Sequence, residues 1–455
     1  MSASRSVLEL IGNTPMVEFT KLDTGPCRLF AKLENQNPGG SIKDRIGLSM
    51  IEAAEADGSL KPGGVLVEAT AGNTGLGLAL VASQKGYRLI IVMPDKMSQE
   101  KVFHLKALGA EVRMTRSDVG KGHPEHYQDF AERIAGEMGA IYVNQFANPA
   151  NPRAHETTTA PEIWAQMDQD LDAVVCGVGS GGTLTGIGRF MKAHAPHVEM
   201  VLADPEGSIL ADIVNTGEAP EDVGSWLVEG IGEDFVPPNC DLSLVSAAYI
   251  ISDKEAFATA REVLRKEGFI VGSSSGTLIS AALRYCRAQT EPKRVVTFVP
   301  DSGNKYLSKM YNDFWMLDKG LIERSSYGDI RDLIARRHVD NEDFTLKPDD
   351  SLLIAYSRMK LYDVSQLVVI EGGQVVGILD ESDVLIAIFQ HEERFNNPVR
   401  EFMTAKLETV APSAPLKSLF AIFAKDRVAI VNDGDEYLGL ITRIDMLNHL
   451  RRQME

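Results

Sequence analysis

Short β-rich runs alternate with helical stretches through about the first 320 residues of this 455-residue chain. The clearest strand-like runs are VLVEAT (65–70), RLIIVMP (88–94), EVRMT (111–115), AVVCGV (173–178), EMVLADP (199–205) and RVVTFVPD (294–301). This alternation predicts an α/β fold with a parallel sheet. Binding sites in such folds lie on the loops after the strands, which singles out 70–74, 177–183 and 301–304.

An internal repeat occupies the last part of the chain. QLVVIEGGQVVGILDESDVL (366–385) aligns with VAIVNDGDEYLGLITRIDML (428–447) at an offset of 62 residues, which matches Asp383 to Asp445. Each copy has the order strand, turn, strand, helix, so the repeat predicts two copies of one small module. We expect the copies to pack together, because neither would bury its apolar face alone.

These patterns divide the chain into four parts. The charged stretch SSYGDIRDLIARRHVDNEDF, which precedes the repeat, is typical of an exposed linker. The predicted parts are an α/β body at 1–320, a linker at 321–340, a first module at 341–395 and a second module at 396–455.

Composition excludes several classes of protein. No apolar run approaches the roughly 20 residues that cross a membrane, and the start, MSASRSVLELIGNTP, lacks the apolar core of a signal peptide. The net charge of −18 argues against a nucleic acid partner. The cysteines have no CxxC or metal-like spacing, so we expect reduced thiols, no metal site and a cytoplasmic location. They are Cys27, Cys176, Cys240 and Cys286.

The stretch NPGGSIKDR (37–45) places Lys43 two residues after the capping serine Ser41, in the first turn of a predicted helix. The N-terminus of a helix carries partial positive charge, so an ammonium is disfavoured there. An amine at this position has a reason to lose its proton, and a neutral amine is a nucleophile. A single helical lysine is most often simply solvated, so Lys43 alone identifies no activity.

The loop GVGSGGT (177–183) allows three interpretations. It contains Gly-x-Gly-x-x-Gly between a strand and a helix, and Asp204 lies roughly where a dinucleotide fold binds a ribose hydroxyl, which is the pattern of a nicotinamide dehydrogenase. Alternatively, its backbone N–H groups and the Thr183 hydroxyl bind a single phosphate at a helix N-terminus. The third interpretation is a tight turn without a ligand.

Two further turns carry polar side chains before helices. TAGNTG (70–75) places Thr70, Asn73 and Thr74 beside free helix N–H groups, which suits a carboxylate or a simple helix cap. VGSSSGT (271–277) offers three serines, for which capping is the ordinary explanation. Together, however, an amine, a phosphate loop, a carboxylate turn and a neutral hydroxyl are what a pyridoxal phosphate enzyme requires of its protein.

Five stretches occur in one order along the chain: NPGGSIKDR, TAGNTGLGLAL, NQFANPANP, GVGSGGTLTGIG and VGSSSGT. Over about residues 5–320 they resemble the β-family of pyridoxal phosphate enzymes, which implies a fold-type II architecture with two parallel-sheet subdomains. DPEGSIL (204–210) and VEGIG (228–232) resemble the cystathionine β-synthase branch of that family. The repeat is similar to the tandem CBS (Bateman) modules of the same branch.

The resemblance implies pyridoxal 5′-phosphate as cofactor and a role for each matching residue. Lys43 would bind the cofactor covalently and then act as acid and base at the substrate Cα. Asn73 would hydrogen-bond the ring 3′-oxygen, and Ser274 would be the partner of the pyridine nitrogen. The phosphate would be held by Gly179, Ser180, Gly181, Gly182 and Thr183. The substrate would be held by Thr70, Ala71, Asn73, Thr74 and Gln145 at its carboxylate, with Glu229 and Gly230 at the mouth.

The resemblance implies β-replacement, a reaction of transsulfuration. L-serine and L-homocysteine would give L-cystathionine and water through an aminoacrylate. Release of hydrogen sulfide from cysteine is a related activity that the resemblance also implies. A neutral serine at the pyridine nitrogen weakens the electron sink, which favours elimination over transamination. Three positions depart from the expected pattern: Ala71 replaces the family's usual serine, and Phe146 and Glu233 stand where the animal synthases have tyrosines. Around Phe146 the chain resembles O-acetylserine sulfhydrylase, the cysteine-forming alternative. A degenerate ligand sensor acting through the modules is a non-enzymatic alternative.

The modules resemble domains that bind adenosyl ligands. GLITRID carries the complete family pattern, with Thr442 for phosphate or ribose and Asp445 for the ribose hydroxyls, whereas GILDESD has Asp380 at the threonine position and Asp383 at the ribose position. The modules have two alternative functions: they bind an adenosyl ligand such as S-adenosylmethionine, or they serve only for oligomer contacts. We expect no haem, because the motifs begin almost at Met1. We also expect a homodimer or a higher homo-oligomer.

Overall fold

The structure is a computed structural model, and it describes residues 4–70, 72–95, 99–120, 122–389 and 391–452. The pattern of contacts divides the chain into a body unit, Met1–Met316, and a module unit, Leu317–Glu455. Within the described ranges, no helix combines the length and apolar character needed to cross a membrane.

The body unit is an α/β fold. Its strands are β1 (Met16–Glu18), β2 (Arg28–Lys32), β3 (Val65–Ala69), β4 (Arg88–Pro94), β5 (Glu111–Thr115), β6 (Ile141–Tyr142), β7 (Ala173–Cys176), β8 (Glu199–Pro205), β9 (Ala247–Ile251) and β10 (Arg294–Phe298). Its helices are α1 (Lys43–Ala56), α2 (Asn73–Lys85), α3 (Gln99–Ala107), α4 (Tyr127–Met138), α5 (Ala150–Ala154), α6 (Ala160–Gln166), α7 (Gly182–His194), α8 (Leu210–Thr216), α9 (Asp253–Glu267), α10 (Ser273–Arg287) and α11 (Asp313–Asp318), in the last of which the division between the units falls.

Two sheets organise these elements. One has the order β1-β2-β10-β7-β8-β9 and the other β5-β4-β3-β6; every pairing is parallel except that of β1 with β2. Strands β4, β7 and β8 are almost completely buried, as expected for parallel strands covered by helices on both faces. The predicted α/β fold with two parallel sheets is confirmed. Loops after β3, β7 and β10 then carry the polar turns singled out by the sequence.

The module unit contains two small three-stranded sheets, as the repeat predicts. The first module has β11 (Thr345–Leu346), α12 (Leu352–Tyr362), β12 (Gln366–Glu371), β13 (Gln374–Asp380) and α13 (Glu381–Ile388). The second has β14 (Thr409–Val410), α14 (Leu416–Phe423), β15 (Ala429–Asp433), β16 (Glu436–Ile441) and α15 (Arg443–Arg452). Val368 of the first module packs with Ile430 and Tyr437 of the second in one buried cluster, so the copies cover each other's apolar surface.

Part of the segment predicted as an exposed linker is buried. Ile330, Leu333 and Ile334 lie in the core of the second module, together with Leu419 and Val431. Charged residues surround these three apolar side chains in the sequence and hide their amphipathic spacing. The segment therefore contributes a short 3-10 turn, Ile330–Leu333, to the fold of the module unit.

Candidate active site

Lys43 is the first residue of α1, and its side chain lines a cavity of about 490 Å³ in the body unit. The N-cap position is Ile42, so the prediction that Ser41 caps the helix is wrong in detail; Ser41 Oγ instead accepts a 3.3 Å hydrogen bond from the Lys43 backbone N–H. Burial lowers the pKa of Lys43 to about 8, although the Glu233 and Asp301 carboxylates act in the opposite direction. Such an amine is partly neutral near physiological pH and can act as nucleophile or base.

The glycine loop after β7 forms a second wall of the cavity. Gly181 has a φ of +83° and precedes the first residue of α7. A Cβ on Gly181 would lie 2.6 Å from Cys240 Cβ, and one on Gly179 would lie 2.5 Å from the Gly230 carbonyl oxygen. Glycine is therefore required by backbone conformation at one position and by close packing at both. The loop leaves backbone N–H groups at a helix N-terminus, which is an anion-binding arrangement.

Asn151, a fully buried residue that the sequence did not single out, supports this loop. Its Nδ2 donates to Ser180 Oγ at 2.9 Å and to the Gln145 carbonyl oxygen at 2.8 Å. A Cβ on Gly182 would collide with Asn151 Oδ1. Asn151 therefore joins the predicted phosphate loop to the backbone of Gln145, one of the predicted carboxylate-binding residues, a role that sequence spacing alone does not reveal.

His155 is the second residue that the sequence did not reveal. It begins a π-helical turn, His155–Thr159, and its Nε2 lies 3.2 Å from Thr183 Oγ1 while its Nδ1 lies 3.0 Å from Thr159 Oγ1. Burial, with the nearby Lys43 and Arg45 charges, lowers the pKa of His155 well below its usual value, so the imidazole is neutral. A neutral imidazole held at both nitrogens orients the Thr183 hydroxyl without adding charge.

The carboxylate turn lies at the start of α2. Thr74 Oγ1 donates to Gln145 Oε1 at 2.6 Å, which leaves the Gln145 Nε2 amide group as a donor beside the helix N-terminus. Thr70 Oγ1 accepts from the Gly72 N–H at 3.2 Å. Predicted site residue Ala71 lies outside the described residues. The turn thus presents donors suited to a carboxylate.

Asn73 is held by two charged residues from the loop after β10. Lys305 Nζ donates to Asn73 Oδ1 at 2.6 Å, and Asn73 Nδ2 donates to Asp301 Oδ2 at 2.8 Å. Because an ammonium only donates, the contact with Lys305 fixes which side of the amide carries Nδ2. Nδ2 has two N–H groups, so Asn73 retains a second donor for a ring oxygen. Asp301 lies in the 301–304 loop that the strand pattern indicates and Lys305 follows it, but the sequence predicts no role for either side chain.

The cavity brings the predicted residues together. It is lined by Lys43, Thr70, Asn73, Thr74, Gln145, Gly179, Ser180, Gly181, Gly182, Thr183, Glu229, Gly230 and Ser274. Phe146 and Glu233 line it too; the Phe146 ring centroid lies 5.7 Å from that of Phe235, and burial raises the pKa of Glu233 to about 8. A lysine amine, an anion cradle of glycines, an amide and a small neutral hydroxyl in one cavity fit pyridoxal phosphate.

Asp204 argues against the dehydrogenase interpretation. Its side chain is completely buried, and Oδ2 accepts from the Ala211 N–H at 2.9 Å at the start of α8. Burial raises the pKa of Asp204 to about 6. A carboxylate committed to a helix N-terminus inside the protein is not presented to a ribose.

A separate cavity of about 510 Å³ lies in the module unit. Thr442 and Asp445 line it, and Asp445 Oδ2 accepts hydrogen bonds from the Thr442 N–H at 2.7 Å and from Thr442 Oγ1 at 2.6 Å. Asp383 is not among its lining residues; in a capping box at the start of α13, the carboxylates of Asp380 and Asp383 each accept a hydrogen bond from the other residue's backbone N–H. The structure therefore does not bring Asp383 together with the other two predicted adenosyl-ligand residues.

Comparison with known proteins is consistent with both halves of the fold. A family model described as pyridoxal-phosphate dependent enzyme matches residues 7–301, and a CBS domain model matches residues 330–390 and 399–452. A crystal structure of a hydrogen sulfide-producing enzyme from Fusobacterium nucleatum superposes with a TM-score of 0.61 at 35% identity, covering 67% of this chain and all of that one.

Two curated relatives match nearly the whole length of this chain. Cystathionine beta-synthase of Oryctolagus cuniculus is 37% identical over 97% of this chain and 84% of its own length. Cystathionine beta-synthase of Dictyostelium discoideum is 35% identical over 99% of this chain and 93% of its own length. With the lysine, the glycine loop and the paired modules in place, the chain belongs to the pyridoxal phosphate-dependent enzymes of the cystathionine β-synthase type.

Proposed function

We propose that this chain condenses L-serine with L-homocysteine to L-cystathionine and water. The Cβ–O bond of serine and the S–H bond of homocysteine break and a Cβ–S bond forms; the hydroxyl leaves as water with the thiol proton, and the proton removed from Cα is returned. The observation that carries the proposal is the position of Lys43, whose pKa is about 8, in one cavity with the glycine loop and the carboxylate turn.

Each group in the cavity has a task in this reaction. The Lys43 amine would remove the Cα proton and return it, since its lowered pKa permits both directions near neutral pH. Thr74, Gln145 and the N–H groups of α2 would bind the serine carboxylate. Pyridoxal phosphate, when bound, supplies the electron sink; Lys43, Asn73, the loop 179–183 and Ser274 are the residues that would hold it.

The choice of acceptor separates the proposal from its nearest alternative. Homocysteine is supported by the similarity to cystathionine β-synthases over both the body and the modules. Cysteine formation from O-acetylserine and sulfide is favoured by one feature: the cavity is lined by Phe146, at a position where the animal synthases tend to have a tyrosine. The sensor alternative requires no turnover, which the intact set around Lys43 speaks against.

The test is a matrix of donors and acceptors with the full chain. L-serine and O-acetylserine are each combined with homocysteine and with sulfide, and the products are quantified by mass spectrometry. The proposal expects cystathionine from serine and homocysteine as the pair with the highest kcat/KM. Cysteine from O-acetylserine and sulfide, with no cystathionine, would replace it with the alternative; cofactor binding without any product would favour the sensor.

We further propose that the module unit binds an adenosyl ligand in its 510 Å³ cavity, with Thr442 and Asp445 at the ribose. Arg336, Arg427 and Arg443 also line the cavity, which suits a ligand that also carries a carboxylate or phosphate. The module unit is also the proposed site of homo-oligomer contacts, since Leu385, Ile386 and Phe389 are exposed apolar residues on or next to α13.

A further inference from the structure

Three charged side chains meet on the wall of the 490 Å³ cavity. Lys309 Nζ lies 2.6 Å from Glu229 Oε1, and Lys101 Nζ pairs with Glu229 Oε2, so one carboxylate is shared between two ammonium groups. All three residues line the same cavity as Lys43. We call Lys101, Glu229 and Lys309 the charged triad.

The triad is assembled from three segments of the body unit. Lys101 is on α3, Lys309 follows the 3-10 turn Gly303–Tyr306, and Glu229 lies in the segment after α8. The backbone around Glu229 is held firmly: its N–H donates to Ser273 Oγ at 3.0 Å, and the preceding N–H of Val228 donates to Asp253 Oδ1 at 3.1 Å. The backbone from which the Glu229 side chain extends is therefore fixed, and its two lysine partners hold the carboxylate at the cavity wall.

The triad carries one more positive than negative charge. Burial acts to raise the pKa of Glu229, but the Lys101 and Lys309 ammonium groups outweigh it and hold that pKa below its usual value, so Glu229 is ionised. The exposed fractions of the side chains are 15% for Lys101, 23% for Glu229 and 36% for Lys309. These charges are shielded from bulk water but not sealed off, which leaves them open to a ligand entering the cavity.

The arrangement matches the free end of an amino acid. A zwitterion presents one carboxylate and one ammonium group. The two lysines would bind the carboxylate, and Glu229 would bind the ammonium group. The donor serine is already provided with a carboxylate site at Thr74 and Gln145. A second set of charges in one cavity therefore implies a second amino-acid group, that of the acceptor thiol. Sulfide has no such group and would gain nothing from the triad.

We propose that Lys101, Glu229 and Lys309 form the subsite that binds the amino-acid end of the acceptor and so select homocysteine over sulfide. This inference rests on the proposed function and deepens it. Two acceptor analogues isolate its parts: 1-propanethiol is homocysteine without its amino and carboxyl groups, and 4-mercaptobutanoate is homocysteine without its amino group.

The test compares these acceptors, with serine as donor, in Lys309→Gln, Glu229→Gln and a control. Lys309→Gln is expected to raise the KM for homocysteine and 4-mercaptobutanoate about tenfold, the loss of one charge-assisted hydrogen bond, with little change for 1-propanethiol. Glu229→Gln is expected to raise the KM for homocysteine but not for 4-mercaptobutanoate. The control is Lys85→Gln, which removes another lysine–glutamate pair of the body unit, at 2.8 Å from Glu55, away from the cavity.

Serine alone is titrated into Lys309→Gln and into the control while the cofactor absorption is recorded. The serine concentration that gives half of the absorption change is expected to equal that of the wild type in both variants. A similar loss with all three thiols, or a shifted serine midpoint in Lys309→Gln, would mean that the triad only maintains the structure and would overturn the inference. An unchanged homocysteine KM in both triad variants would also overturn it. Wild-type protein that accepts sulfide but not homocysteine would instead overturn the proposed function, and the subsite with it.

Discussion

At the scale of single residues, the chemistry depends on burial more than on local sequence. The N-terminal position of Lys43 on α1 was the predicted reason for a neutral amine, whereas burial is the largest cause of its lowered pKa. Lys305 and Asp301 illustrate the same dependence on the fold. They reach Asn73 across 232 and 228 positions of the sequence, and only the neighbouring ends of β3 and β10 bring the three together.

The pKa of Lys43 predicts how cofactor loading depends on pH. A pKa of about 8 in place of 10.5 leaves roughly a quarter of the amine neutral at pH 7.5, against about a thousandth for an ordinary lysine. Because the neutral amine is the nucleophile, the rate of covalent loading of cofactor-free protein is expected to rise with pH and to level off above about 8. Stopped-flow absorbance measures this rate, with N-acetyl-lysine amide as the control. A rate that still climbs tenfold between pH 9 and 10 would contradict the assignment.

At the scale of elements, a buried charge cluster fixes α1 and therefore Lys43. Arg45, two residues along the helix, bonds through Nε to Glu34 Oε2 at 2.7 Å and through Nη2 to Glu162 Oε2 at 2.7 Å, and Lys32 Nζ lies 2.8 Å from the same Glu162 oxygen. Burial acts to raise the pKa of Glu162, but Arg45 and Lys32 lower it to about 2. Its contribution to stability is therefore complete above about pH 4.5 and is lost as the pH falls toward 2.

Removing one partner of this cluster is expected to be costly. Glu34→Ala leaves the buried Arg45 guanidinium with only part of its partners and is expected to lower the free energy of unfolding by about 3–5 kcal/mol. The matched control is Glu18→Ala, which breaks the partly exposed pair of Glu18 with Arg28, for which less than about 1 kcal/mol is expected. Urea unfolding of both variants measures the difference. Equal losses would show that the cluster has no special role in holding α1.

The elements themselves were largely predictable, and the site only in part. Strands β3, β4 and β8 follow the predicted runs closely, because parallel strands covered on both faces read as largely apolar runs. The glycine loop was predictable because its backbone requirements leave a motif, and Lys43 because the stretch NPGGSIKDR resembles that of the family. Asn151 and His155 were not, since a buried amide or imidazole acquires its partner only when distant segments meet.

At the scale of the whole molecule, the catalytic body is joined to a unit with a cavity of its own. The second module completes its core with Ile330, Leu333 and Ile334, which precede the first module in the chain. A ligand in the module unit would stabilise the folded form by an amount that grows with the logarithm of its concentration relative to its dissociation constant. The module unit is therefore where an adenosyl ligand would act on this protein.

The ligand proposal predicts thermal stabilisation of the full chain. S-adenosylmethionine or ATP, at about 100 times its dissociation constant, is expected to stabilise the module unit by about 2.7 kcal/mol in differential scanning calorimetry. Asp445→Asn is expected to weaken this effect, and Asp383→Asn is expected to leave it intact, because Asp383 does not line the cavity. If neither ligand stabilises the wild type, oligomer contacts would remain as the role of the modules. If Asp445→Asn and Asp383→Asn weaken the stabilisation equally, the placement of the site would be contradicted.

The central claim is that the protein forms cystathionine by β-replacement and that Lys43 is essential for this reaction. The most direct measurement incubates wild-type protein and Lys43→Ala with pyridoxal phosphate, L-serine and L-homocysteine, and quantifies cystathionine by mass spectrometry. We predict cystathionine from the wild type and a loss of about a thousandfold or more in Lys43→Ala, in which both the covalent attachment and the acid–base group are absent. Undiminished cystathionine formation by Lys43→Ala, or none by the wild type, would contradict the account.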